Sequence, residues 1–268
     1  MTAAAGFLLA SSISRQFDPS LFLALLAGTS LVIAGGCVIN NYIDRGLDAK
    51  MARTKQRASV TGKIPLSAAI VYAAILGLTG LLILVIYANI LTVFVGAVGL
   101  FFYLVMYSIF KRRSVWGTVV GSVSGATPIV AGYVAVTDQL NSGALILFLI
   151  MVCWQMPHFY AIAIYRFDDY RAAGLPVLPV VKGRRAAKLQ IITYVIAFIA
   201  ATSSLTIFGY TGYAYLLIML LVGLWWLQQG LQGFQAKDDK QWARQMFLGS
   251  LLVVMTLSVM TSIGALLP

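Results

Sequence analysis

Apolar residues run in long blocks along this chain, and polar residues gather in the short stretches between them. Eight blocks, at about 20–42, 67–87, 89–110, 114–136, 142–165, 187–209, 211–233 and 246–267, reach the roughly 20 residues that carry a helix across the hydrocarbon core of a bilayer. None alternates apolar and polar positions as a strand would, and an unclosed sheet cannot satisfy its backbone in lipid. The pattern predicts an all-α, polytopic transmembrane helical bundle in one domain, residues 1–268, with no room for a separate soluble unit. Ala3–Ala10 is apolar but too short to span, and no basic segment precedes it as in a signal peptide. Residues 1–12 therefore read as the remnant of a first helix, giving eight complete spans plus that remnant.

Composition agrees: 60% of the residues are hydrophobic and 10% charged, against about 25% charged in soluble domains. Cys37 and Cys153 each fall inside an apolar block, where they read as small buried residues and not as a disulfide framework or a thiolate metal site.

The charges sort by side. Of the 19 Lys and Arg residues, all but Arg15 fall in alternate loops or their flanks: Arg45–Lys63, Lys111–Arg113, Arg166–Lys188 and Lys237–Arg244. Loops rich in Lys and Arg stay cytoplasmic, so these four should share the cytoplasmic face. The net charge of +11 is then mostly a topology signal, and nucleic-acid binding need not be invoked. The acids say more. There is no Glu, and six of the eight Asp residues sit in the same basic loops. Carboxylates clustered beside cations suggest a site that takes a metal ion and a multivalent anion together. Asp44 and Asp168 lie 124 residues apart, and Lys111 and Lys237 lie 126 apart. With four spans between the members of each pair, a parallel repeat would bring the two Asp loops to one face, opposed.

The first Asp loop reads Asn40-Asn-Tyr-Ile-Asp44-Arg-Gly-Leu-Asp48. If the helix continues, Asn40, Asp44 and Asp48 share one face, about 6 Å apart per step. Such hard oxygen donors suit Mg²⁺, which uses one or two carboxylates and completes its shell with phosphate oxygens and water. Arg53, Lys55 and Arg57 follow, able to hold a phosphate group. The second cluster is Tyr165-Arg-Phe-Asp168-Asp169-Tyr-Arg171. Neighbouring Asp residues cannot point the same way on a helix, so one is expected on a metal and the other paired with Arg166 or Arg171. A third, Tyr107-Ser-Ile-Phe-Lys111-Arg112-Arg113, reads equally well as an ordinary basic flank. His158, the only histidine, follows Pro157 inside a span. The proline should kink the helix and turn Gln155 and His158 into an interior cavity. Two readings stay open for His158: a hydrogen bond to a neighbouring helix, or contact with an acceptor such as a porphyrin, including ligation of its iron.

These stretches resemble the UbiA-type membrane prenyltransferases. The carriers are Asn40–Arg57, Tyr107–Arg112 and Trp154–Gly183, and the last, with MPHFYAIA, DDY and GLPVLPVVKG, is similar to the branch that farnesylates haem. The resemblance implies nine helices around a cavity open to the membrane, with the active site on the cytoplasmic side. It implies transfer of the farnesyl group of farnesyl diphosphate to a vinyl group of haem B, with addition of water, to give haem O. By it, Asp44, Asp48, Asp168 and Asp169 would bind Mg²⁺, with Asn40 beside them, and Arg53, Lys55, Arg57, Lys111 and Arg112 would hold the diphosphate. His158 would meet haem, and Tyr107 and Tyr165, with Tyr42 and Tyr103 as further candidates, would face the prenyl cation or tail. It further implies membrane lipid as surroundings, a bacterial cytoplasmic membrane as location, and a haem A synthase or terminal-oxidase assembly proteins as partners. Two departures leave the metal count open. Asn41 stands where many relatives carry Asp, and Asp168-Asp169-Tyr170 replaces a spaced Asp pair. The rival readings are a prenyltransferase for an aromatic acid or chlorophyllide, and a non-catalytic transporter. Acids gathered at one interface speak against the transporter, because transporters keep such groups near mid-bilayer.

Overall fold

The computed structural model describes residues 1–268. In chain order the helices are α1 (Thr2–Ser14), α2 (Pro19–Ile43), α3 (Arg45–Asp48), α4 (Leu66–Tyr87), α5 (Ile90–Phe101), a π turn (Phe102–Met106), α6 (Tyr107–Arg113), α7 (Gly117–Thr137), α8 (Ser142–Tyr165), α9 (Phe167–Ala172), α10 (Leu178–Ile207), α11 (Tyr213–Gln232) and α12 (Asp239–Ile263). There is no strand. Eight helices are long and apolar enough to cross a membrane, with α5, the π turn and α6 counting as one, as the apolar blocks predict.

Three boundaries move. The sixth block starts at Leu178 and not near 187, because a short turn led by Pro179 precedes a bend at Gly183. Gly183 sits at φ 83°, a conformation that costs any residue with a Cβ. The last block starts at Asp239 and not near 246. Asp238 caps it, its carboxylate accepting from the N–H groups of Lys240 at 2.8 Å and Gln241 at 3.3 Å. In the third block the π turn shifts the register just before Tyr107, the kind of interruption found often at functional sites.

Residues 1–12, expected as a remnant, lie in a well-packed helix. Ala3, Phe7, Leu9 and Ala10 of α1 are buried, and α1 packs between α7 and α12. The contact with α7 depends on missing side chains: a Cβ on Gly6 would stand 2.0 Å from the Ile129 carbonyl oxygen. Small residues at such crossings let helix backbones close on each other where lipid offers no hydrophobic drive. α2 and α4 form a second close pair, and the principal core joins α7, α8, α10, α11 and α12 around side chains such as Leu147, Ile150, Phe198 and Trp226.

One end of the bundle collects all four basic stretches. The loop after α2 meets the segment after α8 through Met51, Ala173 and Leu175, so the two Asp loops do oppose each other. α6 reaches the first loop through Lys111, and Lys188 of α10 meets Asp239 of α12.

Candidate active site

α2 stops at Ile43, and Asp44 separates it from the single turn of α3. The helical ladder survives this break. Asp44 N–H donates to the Asn40 carbonyl at 2.9 Å, and Asp48 N–H to the Asp44 carbonyl at 2.8 Å. Asn40 and Asp44 therefore stay stacked, with Asn40 Nδ2 donating to Asp44 Oδ2 at 3.1 Å.

Lys111 comes to this pair from α6. Its Nζ donates to Asp44 Oδ2 at 2.6 Å and to Asn40 Oδ1 at 3.2 Å. The Lys111 side chain is 9% exposed and that of Asp44 15%. An ammonium and a carboxylate so shielded hold each other strongly, and loss of either partner strands a charge at a cost of about 3–5 kcal/mol. Lys111 Nζ also lies 4.7 Å from the centre of the Tyr107 ring, and Tyr107 stacks on Tyr103 at 6.4 Å with 9° between the planes. The π turn places both tyrosines and Lys111 on one face. Lys111 is thus no ordinary basic flank. Arg112 lies at the edge, with Nη2 donating to the Ile43 carbonyl at 2.5 Å and standing 3.5 Å from Asp44 Oδ1.

All of these side chains except Arg112 border a cavity of about 380 Å³. Asn40, Asp44, Tyr107 and Lys111 form one wall, and Gln155, Phe159 and Tyr170 stand among the others. Gln155 is buried, its Nε2 donating to the carbonyls of Ser122 and Met151, both at 3.0 Å. A Cβ on Gly125 would collide with its Oε1. Tyr103, Ser124 and Gly125 also wall a second hollow of about 240 Å³, whose other lining is mostly apolar and includes Val32, Ile33, Leu84 and Leu100. A polar chamber therefore abuts an apolar one.

Other expected site residues lie elsewhere. The four carboxylates of Asp44, Asp48, Asp168 and Asp169 do not converge on one point: no group of three acids stands close enough to share an ion. Asp48 is drawn away by Arg57, whose Nη1 donates to its Oδ2 at 2.7 Å and to Asn41 Oδ1 at 3.2 Å. Neither Asp168 nor Asp169 pairs with Arg166 or Arg171. Arg166 lies over the Tyr165 ring at 4.5 Å, and the five ion pairs of the molecule include neither acid. Tyr165 packs against the core and does not line the cavity. Tyr42 faces a different hollow, its hydroxyl donating to the Ile64 carbonyl. Arg53 and Lys55 are exposed.

His158 turns away from the cavity that Gln155 lines. It stacks on Trp154 at 4.9 Å, and its Nδ1 lies 2.7 Å from Ser250 Oγ on α12. The Ser250 hydroxyl hydrogen goes to the Phe247 carbonyl, 2.5 Å away. Its oxygen must therefore accept from His158 Nδ1–H. That tautomer leaves the Nε2 lone pair without a protein partner.

Two features escaped the sequence reading. Tyr170 lines the cavity beside the second Asp pair. Burial pushes its hydroxyl pKa up, against the opposing pull of the Arg53 guanidinium, so the group stays a neutral donor at ordinary pH. The other is a second buried ion pair. Lys188 Nζ bonds Asp239 Oδ1 and donates to the Gly233 carbonyl at 2.6 Å, with Trp242 5.3 Å beneath it. A lysine inside an apolar span signals a hidden partner, and Lys188 stands inside the block at 187–209.

Residues 1–252 match the model of the UbiA prenyltransferase family. The chain is 50% identical over 259 residues to a protoheme IX farnesyltransferase of Yersinia pseudotuberculosis serotype O:1b, covering 96% of this chain and 87% of that one. It is also 50% identical to the protoheme IX farnesyltransferase of Enterobacter sp. (strain 638), covering 98% and 89%. Among solved structures, one from work on digeranylgeranylglyceryl phosphate synthase superposes with a TM-score of 0.79 at 19% identity, covering 98% of this chain and 91% of that one. A UbiA homolog from Archaeoglobus fulgidus bound to GPP and Mg²⁺ superposes with a TM-score of 0.71 at 14% identity, covering 97% and 96%. With a family model spanning nearly all of its length, relatives at half identity and the same helical fold, this chain belongs to the UbiA prenyltransferase family.

Proposed function

We propose that this chain transfers the farnesyl group of farnesyl diphosphate to a vinyl group of haem B, with addition of water, to give haem O. The reading rests on one juxtaposition. Asn40, Asp44 and Lys111 stand at the polar wall of a cavity, and Tyr103 divides that cavity from an apolar hollow. An allylic diphosphate has this division, a charged head on an aliphatic tail. The half-identical relatives named protoheme IX farnesyltransferase supply the choice of farnesyl donor and haem acceptor.

The donor set fits Mg²⁺. Lys111 holds Asn40 Oδ1 and Asp44 Oδ2, which leaves Asp44 Oδ1 as the hard oxygen on one side, and Asp168 and Asp169 on α9 form no ion pair, so one or two carboxylates and the diphosphate's own oxygens would complete a shell. Asp48 would join only if Arg57 released it. Magnesium there would neutralise the departing diphosphate. The protein's own cations work in the same direction: Lys111 and Arg112 stabilise negative charge as the C–O bond breaks and the electron pair leaves with the diphosphate, and Arg53, Lys55 and Arg57 would join them only by moving in from the exposed loop. The stacked faces of Tyr103 and Tyr107 shield the allylic cation from water and stabilise it. The vinyl π electrons form the new C–C bond, water adds to the cation left on the vinyl group, and its proton departs to solvent. His158 Nε2, held free by Ser250 but turned away from the cavity, would reach the haem iron only from a porphyrin seated on the α8–α12 side of the site. Residues 1–268 act as one catalytic domain, with the basic loops and the site facing the cytoplasm of a bacterium.

The test is product analysis. Membranes holding the chain receive haem B, farnesyl diphosphate and Mg²⁺, and mass spectrometry looks for haem O. Haem O that disappears on chelation supports the reading. A prenylated aromatic acid in its place would keep the family and overturn the acceptor.

A further inference from the structure

On the outer side of the α2–α4 pair, at the same end of the bundle as the active site, lies a hollow of about 800 Å³ that shares no lining residue with the cavity or the apolar hollow. Three cations rim it: Arg45, Lys50 and Arg112. Its floor is aliphatic, with Ile39, Leu66 and Ile70, and Leu66 and Ile70 are 46% and 49% exposed. No acid lines it. Arg45 and Lys50 form no ion pair, and the nearest partner of Arg45 is the face of Tyr42 at 6.0 Å. Arg112 touches an acid only at 3.5 Å.

Arg45 and Lys50 stand together without a counter-charge, and Arg112, whose only acid is Asp44 at 3.5 Å, adds to their field; such cations repel one another unless an anion joins them. Their level is where α2 ends and α4 begins, and the ends of spans are where a bilayer's headgroups meet its acyl chains. Basic pockets between spans at this depth bind anionic headgroups, and an aliphatic floor below them accepts the first carbons of a chain.

We propose that this groove is a binding site for one anionic phospholipid, with its phosphate held by Arg45, Lys50 and Arg112 and an acyl chain laid over Ile39, Leu66 and Ile70. A free phosphate ion would use the rim and leave the floor bare. The two sites share Arg112, which stands 3.5 Å from Asp44, whereas Arg45 and Lys50 belong to this groove alone and carry its test.

The purified full chain, in detergent, is given equal amounts of phosphatidylglycerol and phosphatidylcholine, and retained lipid is read by native mass spectrometry. The wild type should keep one phosphatidylglycerol in preference. Arg45→Gln with Lys50→Gln should reduce that preference about tenfold or more, while Lys182→Gln with Arg185→Gln, at exposed positions outside the groove, should leave it intact. Inorganic phosphate in excess should not displace the lipid. Thermal melting in phosphatidylcholine alone should be the same for both double variants and the wild type, so that a lost preference reports binding and not unfolding. Equal retention of the two lipids by the wild type, equal loss in both double variants, or displacement by inorganic phosphate would each overturn the proposal.

Discussion

At the scale of single residues, Lys111 carries the largest prediction. It is shielded, bonded to both Asp44 and Asn40, and placed over Tyr107. Lys111→Met should lower kcat/KM for farnesyl diphosphate by about 10²–10³, the usual cost of removing one preorganised charge from a transition state. Initial rates of haem O formation would measure it, and a rate within a few-fold of wild type would remove Lys111 from the chemistry. Ser250 makes a different prediction. Because it fixes the His158 tautomer, Ser250→Ala should shift the Soret band of bound haem toward that of His158→Ala, as seen by titrating haem into the purified protein. Identical spectra for the wild type and both variants would leave His158 as a helix-to-helix clamp only. Residue types at motif spacing marked Asp44 and Asn40 in advance, whereas Lys111 read equally well as a basic flank and was singled out only by the family resemblance. The partners that draw Asp48 to Arg57 and His158 to Ser250 were not legible, because each contact joins segments whose approach only the packing decides.

At the scale of elements, the apolar hollow between α2, α4, α5 and α7 sets what the site can accept. Gly96 lines it, and a Cβ there would meet nothing within 4 Å. Gly96→Phe should fill the hollow and lower the use of farnesyl diphosphate relative to dimethylallyl diphosphate by about tenfold or more, measured with the two donors in competition. An unchanged ratio would mean that the tail lies elsewhere. The eight spans were legible because each apolar block is long enough to cross. The bend at Gly183, the π turn and the early start of α12 were not. A charged helix start such as Asp239–Arg244 reads as loop until its partners are seen: Asp239 bonds Lys188, and Trp242 packs beneath that lysine. α1, too short for a span, earns its place through close contact with α7 and not through hydropathy.

At the scale of the whole molecule, two buried ion pairs stand at the same end of the bundle. Asp44–Lys111 joins α2 to α6 at the cavity, and Asp239–Lys188 joins α12 to α10 away from it. The clustering of Asp among Lys and Arg is visible in the sequence, but which acid meets which cation, and at what task, is set by the fold. The second is structural. Asp239→Asn leaves the Lys188 charge buried without its partner, at a cost of about 3–5 kcal/mol, and should lower the melting temperature while each folded molecule keeps its rate.

The most direct test of the account sets these two acids against each other. Haem O formation per folded molecule is measured for Asp44→Ala and Asp239→Asn in the same membranes, with haem B, farnesyl diphosphate and Mg²⁺. The account predicts that Asp44→Ala loses at least about 10²-fold in rate, whereas Asp239→Asn keeps its rate and loses stability. An active Asp44→Ala, or equal loss of rate in both, would contradict it.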